Sequence, residues 1–278
     1  FLIKNINEHE VRHLFIPGDI FNNRNAINVK TINVAIEAFE MISQKCPSLE
    51  WIPIILGNHD IFHKNTRVVH SLRLLERIPQ IEIISSITRK NIEGKDFILS
   101  PWLVNSIEVD DLFSKKADVC IGHFEINDFE LNKGIKETKG LSPTKFREYF
   151  KKTFSGHFHL NSGESESKDI FYIGCPYHLT WDDYLGKKGC YLLDYKDLSH
   201  TFIENNISPK FEKIYLSRIK RDISQLGLVN GNFIHLIVDE QCDEKTITKL
   251  QEVITAKNPL TFTIDNISLD IELKEETL

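Results

Sequence analysis

No apolar run in this sequence approaches the roughly 20 residues that a helix needs to cross a bilayer, so a membrane-spanning role is set aside. The chain opens Phe-Leu-Ile-Lys without an initiator Met, and reads as processed at its start or as an excerpt. It also lacks the charged lead and longer apolar stretch of a signal peptide. The five cysteines, Cys46, Cys120, Cys175, Cys190 and Cys242, are an odd number without paired metal-type spacing. They are expected to be reduced, mostly buried thiols of a cytoplasmic protein. Cys175 before Pro176 reads as packing, not as a nucleophile. An excess of positive charge is missing too: 34 Lys+Arg stand against 40 Asp+Glu, a net charge of -6, with a pI near 6.0. That balance gives no global sign of nucleic-acid binding, but bound divalent ions would reverse the local field wherever they sit. There is no internal repeat.

What is present is a sequence of 278 residues, 41% hydrophobic and 27% charged, enough for one large domain or a large and a small one. Up to about Tyr195, short apolar runs alternate with amphipathic stretches. Helical spacing is expected over Asn28 to Cys46 and over Val68 to Ile78. Strands are expected at Trp51 to Leu56, Ile81 to Ile84, Phe97 to Leu99, Asp118 to Ile121, Thr153 to Ser155, Ile170 to Ile173 and Cys190 to Leu193. Asn161 to Lys168 reads as a hairpin tip. Beyond about Asn206 the pattern becomes strand, strand, helix, strand (Phe211 to Leu216, Phe233 to Val238, Glu244 to Ala256, Leu260 to Ile264). The sequence then trails into an acidic end from Glu272.

One device recurs in the first part. An apolar strand runs into glycine, and then into a residue able to bind metal or phosphate: Gly18-Asp19, Gly57-Asn58-His59-Asp60, Gly122-His123 and Gly156-His157-Phe158-His159. In layered α/β folds ligands gather beyond the carboxyl ends of the strands, and glycine lets the backbone turn sharply there. A carboxylate, a carboxamide and several imidazoles form a mixed oxygen and nitrogen set suited to Mn, Fe or Zn. Two such ions can clamp a phosphate and acidify a water between them. Asp19 is the candidate bridge, Asn58 can lend its carbonyl oxygen, and His157 and His159 can face different ions. Each feature has a plainer reading. Asp19 can be a turn residue, Gly57-Asn58-His59-Asp60 a loop, His123 a structural histidine, and His157 with His159 an exposed strand edge. Their joint occurrence, in this order and at strand ends, favours the metal reading.

These motifs resemble the calcineurin-like metallophosphoesterase superfamily. Phe21 after Asp19, Pro101-Trp102, Gly122-His123-Phe124-Glu125 and Tyr172-Ile173-Gly174-Cys175-Pro176 look more like its DNA-repair nuclease branch of the SbcD type, and within it the phage recombination endonuclease subunits. The resemblance implies an α/β fold, a four-layer α/β/β/α sandwich over residues 1-207, with a small C-terminal α+β capping or DNA-binding domain over 208-278. It implies two divalent ions, most simply Mn²⁺, one held by Asp19 and His159 and one by Asp19, Asn58, His123 and His157. It also implies that His59 serves the leaving group, oriented by Asp60. The expected activity is metal-dependent hydrolysis of DNA phosphodiesters in recombination and double-strand-break repair. The expected partners are DNA and an SMC-like ATPase, with a homodimer inside a heterotetramer, in the host cytoplasm if phage-encoded. Arg24, Lys64 and Arg67 are candidates for holding flanking phosphates. Two departures stand out: the superfamily's opening Asp-x-His strand has no counterpart here, and Asn22 stands where many relatives have a histidine. The partner-binding tail beyond the capping domain is also not seen. The alternatives are a phosphatase or cyclic-nucleotide phosphodiesterase of the same superfamily, and a catalytically impaired scaffold for the ATPase.

Overall fold

A computed structural model describes residues 1–132, 135–161, 169–184 and 186–267. The expected hairpin tip at 161–168, apart from Asn161, and the acidic end lie outside these residues. The chain divides into two compact units. The first takes in Phe1–Cys175 and Lys187–Asn205, and the second takes in Pro176–Gly186 and Asn206 onward.

In the first unit the helices are α1 (Leu2–Glu8), α2 (Val29–Lys45), α3 (Ser106–Leu112) and α4 (Pro143–Tyr149). Its strands are β1 (Ile52–Ile55), β2 (Ile81–Ile84), β3 (Thr88–Ile92), β4 (Lys95–Ser100), β5 (Ala117–His123), β6 (Glu130–Asn132), β7 (Ile135–Lys136), β8 (Phe150–Gly156), β9 (Ile170–Tyr172), β10 (Gly189–Leu193) and β11 (His200–Glu204). β4, β5, β8 and β9 run parallel in one sheet, with β3 antiparallel at its edge. β1 and β2 pair in parallel, and His13 and Ile16 bridge to Trp51 and Ile54 on the other side of β1.

The strand period of two sorts the side chains. Ile52 and Ile54 face a cluster with Phe39 of α2 and Ile6 of α1. Ile55 and Ile84 turn to a second cluster, with Phe97 and Leu99 of β4, Val119 and Ile121 of β5, and Phe154 of β8. A third cluster joins Ile98 and Cys120 to Leu112 of α3 and Phe146 of α4. The architecture is mixed α/β with several parallel and mixed sheets.

α2 is capped by the Asn28 side chain, which accepts from the Lys30 amide at 2.8 Å. The helix expected over Val68 to Ile78 is instead a short 3₁₀ turn, Ser71–Leu75. The cause is tertiary: the Phe62 amide donates to the Val69 carbonyl and His70, itself extended, bridges Ile61, which holds this segment out of a helix. Pro79 then bars continuation.

The second unit holds β12 (Phe211–Tyr215), α5 (Leu216–Arg221), β13 (Phe233–Val238), α6 (Glu244–Thr255) and β14 (Thr261–Asn266). Its three strands are parallel with β13 in the middle. Ile214, Ile234, Leu236 and Ile254 form its core. Trp181, from the segment between β9 and β10, packs edge-on against Phe211 and His235, which draws Pro176–Gly186 into this unit. No helix among the described residues is long and apolar enough to cross a membrane.

Candidate metal centre

His123 closes β5 and His157 follows β8 directly. Asn58 lies three residues beyond β1, and Asp19 three beyond the bridge at Ile16. Two sheets therefore deliver four side chains to one place. Ligand-type atoms of Asp19, His123 and His157 all lie within 4.8 Å of one another. The Asn58 Oδ1 sits 2.9 Å from His123 Nε2 and 3.1 Å from His157 Nδ1. His123 Nε2 is also 3.1 Å from an Asp19 carboxylate oxygen.

The backbone had to be bent to achieve this. Gly18 has φ +94°, and a Cβ there would stand 2.5 Å from His123 Nδ1. A Cβ on Gly57 would collide with the Asp19 carboxylate. Asp19 and His157 themselves have φ 56° and 88°, the left-handed region that costs a non-glycine residue on the order of 1–3 kcal/mol. Asp60, almost wholly buried, is the clamp. Its carboxylate accepts from the amides of Asp19 (2.8 Å), Ile20 (3.1 Å) and Gly57 (2.9 Å), tying the two glycine turns together.

The protonation pattern follows from which groups can only accept. His123 Nδ1 is 2.7 Å from the Pro17 carbonyl, so it carries the proton and the lone pair of neutral imidazole lies on Nε2. That lone pair faces the oxygens of Asp19 and Asn58, and a shared cation, a proton or a metal ion, satisfies all of these acceptors at once. Burial, and then the neighbouring His123, push His157 down to about 4, which keeps it neutral and ligand-competent at neutral pH. Burial alone would raise the Asp19 carboxyl, but the His123 ring, hydrogen-bonding and cationic when Nε2 carries the shared proton, and the His59 amide bring it below the ordinary value. Burial raises Asp60. The donor set fits a divalent first-row ion.

His159 is exposed and stands outside this group; its carbonyl accepts from Lys188 Nζ at 2.8 Å. His59 shows a difference from what the resemblance implies. Its Nδ1 is 2.7 Å from the Asn22 carbonyl, so a backbone oxygen orients the ring, while Asp60 is occupied with amides. Arg67 also departs from expectation. It makes two hydrogen bonds to Glu108, at 2.8 and 2.5 Å, and others to the Trp102 and Ser85 carbonyls, each at 2.7 Å, which commits four of its five N–H donors within the protein. Arg24 donates to the Asn58 carbonyl at 2.8 Å, and Lys64 is exposed. Sequence reasoning did not assign Trp102 a role, yet its ring lies 5.1 Å from that of His157 and 6.0 Å from that of His123.

The site therefore defines a chain with a mixed carboxylate, carboxamide and imidazole cluster at strand ends, a donor set for a divalent cation. No family model matches the chain. It is 34% identical over 195 residues to exonuclease subunit 1 of Enterobacteria phage T4, an alignment that covers 68% of this chain and 55% of that protein. The chain thus spans about half the length of the curated relative that it matches.

Proposed function

We propose that this chain is the nuclease subunit of a phage recombination and repair complex, built on a calcineurin-like metallophosphoesterase fold of the SbcD type. The observation that carries this is the convergence of Asp19, Asn58, His123 and His157 on one point from two sheets. The relative named as an exonuclease subunit supports the same reading. The order of the three apolar clusters, helices against β1 and β2, sheet against sheet, then β4 and β5 against α3 and α4, supports a four-layer sandwich. The second unit is read as the capping, DNA-binding domain. The partner is read as an SMC-like ATPase, with the nuclease subunits paired as a homodimer.

Bound divalent ions, most simply manganese, would supply Lewis acidity at the phosphoryl oxygen and lower the pKa of the attacking water. Asp19, Asn58, His123 and His157 would hold one ion; Asp19 and His159 would hold the other. Pro17 fixes the His123 tautomer through Nδ1, as outer-shell partners do. In His59, the Asn22 carbonyl holds the proton on Nδ1, so Nε2 is the atom that meets the leaving oxygen. Protonated there, it gives up its proton as the P–O bond breaks. Asp60 keeps the two ligand-bearing turns in register and touches no substrate.

The test is cleavage of linear duplex DNA by the full chain with its ATPase partner, with and without manganese, beside hydrolysis of a small phosphodiester. Manganese-dependent loss of DNA is expected. Hydrolysis of the small ester or of a cyclic nucleotide, with DNA left intact, would move the assignment to a phosphatase or phosphodiesterase.

A further inference from the structure

His157 is the least secured member of the cluster. It sits at φ 88°, where an L side chain is strained, and its only polar contact in the cluster is Asn58 Oδ1 at 3.1 Å, itself a candidate ligand. Such a conformation persists only where its surroundings over-determine it. Among the described residues three rings surround the imidazole: Phe158 at 5.0 Å, His123 at 5.1 Å and Trp102 at 5.1 Å, tilted 45°. Phe158 is the adjoining residue and His123 another candidate ligand. Trp102 alone of the three reaches the imidazole from a separate loop that carries no candidate ligand.

That loop is fastened unusually well. The Trp102 amide donates to the Leu56 carbonyl at 2.8 Å, immediately before Gly57. The Trp102 carbonyl accepts from Arg67 Nη1 at 2.7 Å. Arg67 is fixed by its two bonds to the Glu108 carboxylate and by the Ser85 carbonyl. Glu108 in turn accepts from the Val104 amide at 3.0 Å. The pair is largely withdrawn from solvent, with side chains 11% and 22% exposed, so its bidentate geometry is worth more than a surface ion pair.

We infer that Trp102, braced by the Arg67–Glu108 ion pair, is a positioning residue that holds His157 in its metal-accepting orientation. This rests on the metal-centre reading above. Without the indole wall, the imidazole is free to leave its strained position and the cluster loses a ligand.

Manganese titration calorimetry on the full chain tests this, with metal-free thermal unfolding as the check on folding. Trp102→Ala is expected to weaken manganese about tenfold, as loss of an outer-shell partner does. Trp102→Phe, which keeps a ring, should stay within about threefold, and Trp102→Leu, which keeps apolar bulk only, should fall with Ala. In a His157→Ala chain, Trp102→Ala should add nothing. A second readout needs no metal. The His157 imidazole resonance, single in the unsubstituted chain and in Trp102→Phe, should broaden or split in Trp102→Leu and Trp102→Ala. Equal weakening with and without His157, or an unchanged His157 resonance in Trp102→Leu, overturns the positioning role and leaves the metal centre standing. No manganese binding by the unsubstituted chain overturns both.

Discussion

Both units set an aspartate just beyond a parallel backbone pairing, a strand in one and an isolated bridge in the other, and they use it differently. In the second unit Asp239 follows β13 and spends its carboxylate on Ser217, accepting from the amide at 2.9 Å and the hydroxyl at 2.5 Å. In the first unit Asp19 accepts one amide, that of His59 at 2.8 Å, and turns its other oxygen to His123 at 3.1 Å. Asp60, a short distance away, behaves like Asp239 and closes turns. Residue type at a strand end therefore does not make a site. What separates Asp19 is that an oxygen is left over, on a backbone held in a disfavoured conformation, facing an imidazole whose tautomer is fixed. The second unit's strands instead lead into ordinary crossovers, with α5 beginning at Leu216, the residue after β12.

The comparison breaks most visibly at these two carboxylates. Asp19→Ala should weaken manganese binding by on the order of 100-fold or more, since a ligand is lost outright, whereas outer-shell losses cost about 10–100-fold. Asp239→Ala should leave manganese affinity within about twofold and cost about 1–3 kcal/mol of stability, because the Ser217 donors lose their acceptor. Calorimetry and urea unfolding on both variants decide it, and manganese weakened equally by both would erase the distinction. Next in size is His59→Ala. With its ring oriented by the Asn22 carbonyl and its amide, not its imidazole, on Asp19, the change should cut DNA turnover about 100-fold. Manganese affinity should stay within about threefold.

The parts that were legible in the sequence share one property, that the information is local. A strand, a glycine and a ligand-type residue are neighbours in sequence, so Asp19, Asn58, His123 and His157 could be marked before their meeting point was known. The parallel strands of both units were marked by apolar runs for the same reason. What was not legible depends on distant partners. Arg67 and Glu108 are 41 residues apart, so Arg67 read as a free cation beside a metal motif when it is a brace. Asp60 read as the orienting partner of the histidine before it, although its acceptor capacity goes to Asp19 and Ile20 as well as to Gly57. The segment Pro176–Gly186 offers Trp181 to a sheet more than 25 residues further on, and no window of periodicity reports that. Val68 and Val69 have helical spacing yet stay out of the helix, Val69 because its carbonyl takes the Phe62 amide.

A core substitution in the second unit sharpens the comparison from the side of stability. Leu236 is fully buried at the centre of that unit's cluster, and Leu236→Ala should cost about 2–5 kcal/mol through the cavity that it leaves. Manganese affinity should not change, because no candidate ligand is in that cluster. Denaturant unfolding followed by the fluorescence of Trp181, in a chain with Trp51 and Trp102 replaced by Phe, reads the loss. A parallel loss of manganese binding would mean that the centre depends on the second unit's packing.

The smallest expected effect is on acid stability, and the buried imidazoles that drive it lie in the first unit. Burial lowers His13, helped by Arg12, and it lowers His70 and, with Lys152, His200. All three belong to the first unit. For these groups the unfolded chain, with imidazoles near 6.5, binds more protons than the folded one once the pH falls below that value. Stability is therefore full above about 6.5 and declines as pH drops toward the lowered folded values. In metal-free protein His157, near 4, extends the window to that pH. In the second unit burial raises Glu212. Its contribution is complete below the unfolded carboxyl value and is lost as pH rises through the folded one, so mild acid does not cost that unit stability. Lowering pH from 7.5 to 5.5 with a chelator present should therefore reduce hydrogen-exchange protection in β1, β5 and β8 while β12 to β14 keep theirs. Equal loss in both sets of strands would show that the buried imidazoles of the first unit do not govern its response to acid.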